Sequence, residues 1–201
     1  MRKHSLLLSA LSILFFASCK KDSSDTAGNA NPDILGNYKF ISLTANTTST
    51  KMVSGGGMSQ KTITRSTYTT TENSGTMSIE PTKMTSKDIA YSISTTATSD
   101  IYEDGVFIDS FELPFDFTAP ASSASSEYKW ITKDSVYFTN GYAFYDGSTP
   151  VTTGGNGAKL RLEGDKLYLN ASKEQNSTTT EQSYQVISND KASVIAIYQK
   201  Q

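Results

Sequence analysis

Across residues 89–101 the apolar side chains recur at every second position. Ile89, Tyr91, Ile93, Ala97 and Ile101 fall on one face; Ala90, Ser92, Ser94, Thr96, Thr98 and Asp100 fall on the other. Period two is the mark of a pleated strand with one buried face, not of a helix. Glu103-Asp104-Gly105 comes next, and an Asp-Gly pair accepts the positive φ of a tight hairpin. The following run answers the first one, with Phe107, Phe111, Leu113, Phe115 and Phe117 on a shared face and Asp109 as the exception. Pro114 lies on the opposite face, and a residue without an N–H belongs on an edge or at a bulge.

Other segments read the same way. Residues 34–43 (ILGNYKFISL) open the domain with a strand. Residues 60–71 (QKTITRSTYTTT) are β-branched but polar, which suits an exposed or edge strand. Shorter strands are expected at 76–79, 127–132, 136–139, 159–162 and 166–170. A last pair, 183–188 and 193–198, is joined through Asn189-Asp190-Lys191. Residues 119–126 (APASSASS) and 147–157 (GSTPVTTGGNG) read as loops. The sum is about ten strands and no amphipathic helix, which points to an all-β sandwich or barrel. Hairpin-length connections favour an antiparallel up-and-down meander.

The chemistry is sparse. The single histidine is His4 and the single cysteine is Cys19. Beyond the first 18 residues there is no imidazole for a nucleophilic couple or a typical metal site, and there is no Gly-x-Ser-x-Gly elbow. Glu103, Asp104, Asp109, Glu112 and Asp116 cluster on one hairpin. They read as turn and solvent-face charges rather than as a hydrolytic pair. Neither Gly55-Gly56-Gly57 nor Gly154-Gly155-Asn156-Gly157 is followed by the helix that a phosphate loop requires, so both read as flexible loops. No enzyme activity, cofactor or metal is expected. The chain beyond residue 18 carries a net charge of −4 and no basic stripe, which argues against nucleic acid.

Aromatic residues concentrate between positions 107 and 145. They read as core or as the wall of an apolar cavity, with Phe107, Phe111, Phe115 and Trp130 the candidate ligand-binding residues. Tyr142 and Tyr145, in the turn-rich GYAFYDG, are candidates for stacking on a sugar or a partner. Two functions follow from these residues: a binding module for a small apolar or amphipathic molecule, or a surface protein that binds glycan or another envelope component.

The N-terminus gives an address. Arg2 and Lys3 precede a short apolar run, then Ala17-Ser18-Cys19 and two lysines. This is the order of an export signal, and the run is too short for a spanning helix of roughly 20 residues. Phe16-Ala17-Ser18-Cys19 resembles the lipobox of bacterial lipoproteins. The resemblance implies cleavage before Cys19 and acylation of that residue, which gives the only cysteine of an exported chain a role. Lys20 in place of the inner-membrane retention Asp implies an outer-membrane location. The reading divides the chain into a signal at 1–18, a lipidated tether at 19–33 and one β domain at 34–201. Asp25-Thr26-Ala27 and Asp134-Ser135-Val136 resemble an O-glycosylation tripeptide of exported bacterial proteins, which makes Thr26 and Ser135 candidate glycosylation sites.

Leu35-Gly36-Asn37-Tyr38-Lys39-Phe40 resembles the opening of lipocalin-like domains of bacterial lipoproteins, where a Gly-x-Trp-x-hydrophobic run begins the first strand. The resemblance implies a meander barrel in which a basic side chain of the last strand covers the early aromatic. Tyr38 stands at the Trp position, and Lys200 in Ile197-Tyr198-Gln199-Lys200 is compatible with the basic residue.

Overall fold

The computed structural model describes residues 30–139, 156–181 and 183–201. A 3-10 turn over Pro32–Ile34 leads into β1 (Gly36–Gly55), β2 (Met58–Thr69), β3 (Thr71–Ile79), β4 (Lys83–Glu103) and β5 (Val106–Thr132). Then come β6 (Ser135–Phe138), β7 (Asn156–Glu163), β8 (Lys166–Glu181) and β9 (Tyr184–Lys200). All pairings are antiparallel. β9 returns to pair with β1, so one nine-stranded sheet closes into a ring. This is the all-β meander that the alternation and short connections predict. Among the described residues no helix is long and apolar enough to cross a membrane.

β2 and β3 share one place in the ring. β3 pairs with residues 36–39 of β1, and β2 pairs with residues 44–55. The break between them is built by the buried Thr70. Its N–H donates to the Leu43 carbonyl at 2.9 Å, and its hydroxyl accepts the Leu43 N–H at 2.9 Å. A side-chain oxygen thus replaces a backbone acceptor where the ladder is interrupted. A second irregularity follows at Gly75, whose φ is +106°. A Cβ there would lie 2.6 Å from the Asp88 carbonyl oxygen.

The strands are long for a ring of this size. β4 has 21 residues, which at 3.3 Å each spans about 70 Å. Two levels result. At the base, β1, β3, β4, β5, β6, β7, β8 and β9 close the circuit. Above it, β6 and β7 end, while β5, β4, β2, β1, β9 and β8 continue as a sheet in that order. Among the described residues, β5 between 106 and 127 pairs only with β4, and β8 beyond Ala171 pairs only with β9. Both are therefore edges at this level.

The base is filled. Tyr38, Phe40, Met77, Met84, Tyr128, Trp130, Phe138, Leu160, Leu167 and Leu169 are all buried in one cluster. Burying each large side chain contributes roughly 1.5–3 kcal/mol, so the ring is held mainly here. The aromatics with polar tips hand them to backbone carbonyls. Tyr38 donates to Ile34 at 2.6 Å, Tyr128 to Glu80 at 2.5 Å, and the Trp130 indole to Pro81 at 3.0 Å. Burial raises the Tyr38 phenol and pushes Tyr128 up to about 12.

Several expectations are corrected. Residues 119–126 are not a loop but part of β5, in register with residues 84–91 of β4 through small irregularities. Asn189-Asp190-Lys191 is no turn; it lies inside β9, held by β1 on one side and β8 on the other. There the Asp190 carboxylate accepts the Ser49 hydroxyl at 2.5 Å. β1 and β8 run past residues 43 and 170 through polar sequence. Gly56 and Gly57, with φ of 62° and 85°, form a tight two-residue hairpin turn and not a flexible loop. Gly154 and Gly155 lie outside the described residues, whereas Asn156 and Gly157 begin β7.

Candidate functional site

The feature that departs from ordinary packing lies on the inner face of the upper sheet, along β4 and β5. The β4–β5 hairpin turns at Asp104 and Gly105, with φ of 46° and 83°. The Asp104 N–H donates to the Ser59 carbonyl at 2.8 Å, which fastens this tip to the start of β2. The register slips between Ile101 and Tyr102, leaving Ile108 as the extra residue. From Asp109 onward the alternation is regular. Phe111 faces Ser99, Leu113 faces Ala97, Phe115 faces Thr95 and Phe117 faces Ile93. Ile93 belongs to the core, so this is the inner face of the ring.

Phe111, Leu113 and Phe115 are 39%, 42% and 43% exposed. Phe117, below them, is partly buried against the core. The Phe115 and Phe117 rings stack with centroids 6.3 Å apart. An apolar stripe therefore climbs out of the filled base, and from Phe117 to Phe111 it rises about 20 Å. Such a stripe is normally covered in a monomer, and when uncovered it marks a place of contact.

The neighbouring strands β2 and β1 present hydroxyls on the same inner face. Thr64 is paired with Ser99 and Ser49, and Thr62 with Ile101 and Lys51. The hydroxyls of Thr64 and the buried Ser99 share a hydrogen bond of 3.0 Å. The inner face thus has an apolar stripe on β5, a mixed row of Thr95, Ala97, Ser99 and Ile101 on β4, and a polar side on β2 and β1 that includes Lys51. The outer face is knitted by polar contacts. Arg65 and Asp100 pair at 2.6 Å, and Ser110 donates to the other Asp100 oxygen at 2.7 Å. The Ser110 hydrogen bond, with Arg65 second, holds the Asp100 carboxyl below its usual range.

The four residues expected to wall one cavity are not together. Phe111 and Phe115 share the stripe. Phe107 is exposed on the opposite face, because the bulge at Ile108 reverses the alternation; it is paired with Tyr102, ring centroids 5.7 Å apart. Trp130 is a core residue at the base, packed edge-on against Tyr128 at 5.7 Å. Asp109, which seemed to interrupt an apolar face, keeps step with Phe111 and is exposed near the hairpin tip. Glu103, Asp104, Glu112 and Asp116 are exposed as well. Ser135 is partly buried beside Asp134, to which it donates at 3.2 Å. Cys19, Thr26, Tyr142 and Tyr145 lie outside the described residues. Among the described residues no group of His, Cys, Asp and Glu is placed to hold a metal ion.

At the base, Tyr38 and Lys200 are direct partners across β1 and β9. The Lys200 ammonium sits 6.0 Å from the centre of the Tyr38 ring and donates to the Asp33 carbonyl at 2.7 Å. The hydroxyl wall was the part missed from sequence. Its signal was the β-branched polar run at 60–71, which marks an exposed strand without saying what it faces. No protein-family model, curated protein or solved structure matches the chain.

Proposed function

We propose that the chain is a membrane-anchored lipoprotein whose lipocalin-like domain holds a small apolar or amphipathic molecule on the inner face of its upper sheet. The observation that carries this reading is the exposed stripe of Phe111, Leu113 and Phe115 on the same inner face as neighbouring strands rich in hydroxyls. An amphipathic ligand lays its hydrocarbon on β5 and turns its polar side to β2 and β1. The filled base supports a site above the ring rather than in a closed cavity. Lys200 over Tyr38 supports the lipocalin-like part of the reading. Cys19, after its short apolar run, supports the lipid anchor.

The test is binding of cis-parinaric acid, read by its fluorescence, to the wild type and to a Leu113→Glu/Phe115→Glu double variant. Both side chains are partly exposed, and an unchanged circular dichroism spectrum is the check that the variant folds. Burying a charge against hydrocarbon should weaken binding by at least about tenfold. Equal binding by the two proteins sinks the ligand reading. A Cys19→Ser variant that stays in the membrane fraction sinks the anchor.

A further inference from the structure

The outer face near the base carries a second concavity, independent of the stripe. It is an open groove of about 450 Å³ running over β6, β7, β8 and β9. Its origin is a step in side-chain size along one rung of the sheet. Tyr137 on β6 is paired with Gly157 on β7, and Ser172 on β8 is paired with Ser193 on β9. Ala158 is paired with Ala171, so the next residues outward, Gly157 and Ser172, come side by side. One tall ring thus stands beside three small residues over about 14 Å, three strand spacings. Among the described residues a Cβ on Gly157 would meet only the Val136 carbonyl, at 3.6 Å, so none of them fills the space beside Tyr137.

The next rung supplies polar groups. Lys159 is paired with Ser135 on one side and Asn170 on the other, and all three line the groove. On the far side of Tyr137, Lys129 is its cross-strand partner. Tyr137 and Lys159 are exposed and Asn170 is half-buried. The facing carboxylate is Asp134, which already accepts hydrogen bonds from Thr132 at 2.5 Å and Ser135 at 3.2 Å. Lys159 is the one charged side chain among the described residues that line the groove.

We infer that this groove binds a saccharide carrying a carboxylate, one sugar ring lying against Tyr137 over Gly157 and its anionic group meeting Lys159. An exposed aromatic face takes the C–H face of a pyranose, as it takes other apolar surfaces of matched shape. The amide of Asn170 and the serine hydroxyls are the donor and acceptor types that hydroxyl groups need. The small floor gives the room.

The experiment is isothermal titration of the full-length chain, extracted from membranes in detergent, with tri-galacturonic acid and with neutral maltotriose. Tri-galacturonic acid is expected to bind and maltotriose to bind at least about threefold more weakly, the contribution of one exposed charge pair. Tyr137→Ala and Gly157→Val should each weaken tri-galacturonic acid by at least about tenfold. Gly157→Val fills the groove while keeping Tyr137, and valine favours a strand, so it separates loss of site from loss of fold. Lys159→Gln should bring the two saccharides to equal affinity. Absence of tri-galacturonic acid binding, or unchanged binding in both Tyr137→Ala and Gly157→Val, overturns the inference. Preference for maltotriose overturns its anionic part. The stripe on the inner face is untouched by these variants, so its ligand reading stands or falls separately.

Discussion

Thr70→Val isolates the device that divides the ring into its two levels. Valine matches threonine in shape and in preference for a strand, so packing and local conformation are kept. What is lost is the hydroxyl that accepts the Leu43 N–H at 2.9 Å. Thr70 is 3% exposed, so water does not reach in to replace it. A buried backbone donor left without a partner costs about 1–3 kcal/mol. The Thr70 N–H still reaches the Leu43 carbonyl and Asn73 still donates to the Thr70 carbonyl, so the loss stays local. Urea unfolding followed by the fluorescence of Trp130, the only tryptophan, is the assay. The midpoint should fall with the slope unchanged, and Thr70→Ser, which keeps the acceptor, should recover most of the loss. A Thr70→Val protein within about 0.5 kcal/mol of wild type would refute the argument, since a mutation that only removes a buried acceptor must cost more than that. Thr70→Ser as damaging as Thr70→Val would refute it too, by showing that keeping the hydroxyl acceptor does not preserve the break in the ladder.

Gly105→Ala and Gly75→Ala form a matched pair. Both glycines have positive φ, but a Cβ meets nothing within 4 Å at Gly105 and backbone at 2.6 Å at Gly75. Gly105→Ala should cost about 1–2 kcal/mol from backbone strain, and Gly75→Ala about 1–3 kcal/mol more from overpacking; equal losses in urea melts would contradict the clash. In alkaline titration followed at 295 nm, Tyr128 should resist ionisation until near its value of about 12. Its folded value is raised, so its contribution to stability is whole below the ordinary tyrosine range and is lost as pH climbs through about 12. A Tyr128→Phe protein should lose that part of the alkaline dependence, and an unchanged alkaline profile would count against it. Asp100 should titrate in carboxyl NMR below the usual carboxylate range. Its contribution is present at neutral pH and is lost as the solution is acidified through that lowered value. Ser110→Ala and Arg65→Gln should each move the midpoint up, and a midpoint that stays put in either variant would remove that partner from the account.

The base of the ring was legible in the sequence because burial writes a pattern there. The alternation of Ile89, Tyr91 and Ile93, and the Leu-x-Leu rungs at 160–162 and 167–169, mark faces that meet a core. Pro114 announced an edge, and β5 is an edge there among the described residues. The upper parts of β1 and β8 were not legible for the opposite reason. In 46–54 and 172–180 neither face is buried deeply, so no apolar period distinguishes a strand from a loop. These segments are strands because their neighbours are, each inheriting its register from the rung below. The Asn189-Asp190-Lys191 stretch carries turn residues yet stays extended, since β1 and β8 supply ladder partners on both sides. The bulge at Ile108 was hidden as well. A single extra residue reverses every face before it, and nothing in the composition of VFIDS marks where the slip falls.

An exposed apolar stripe beside an unpaired strand edge is a template for aggregation, and its persistence needs a physical reason. β5 carries two prolines along this stretch, Pro114 and Pro120, which offer no N–H to an incoming strand. Its outer face holds Glu112 and Asp116, so two such edges laid side by side bring like charges together. Pairing by a second strand is blocked on the edge while the inner face stays open. The stripe can then remain uncovered without recruiting copies of itself, and an open surface of this kind suits a ligand approaching the face, since it needs no backbone pairing. The base, sealed by its aromatic cluster, supplies the stability that lets the upper sheet keep apolar side chains in water.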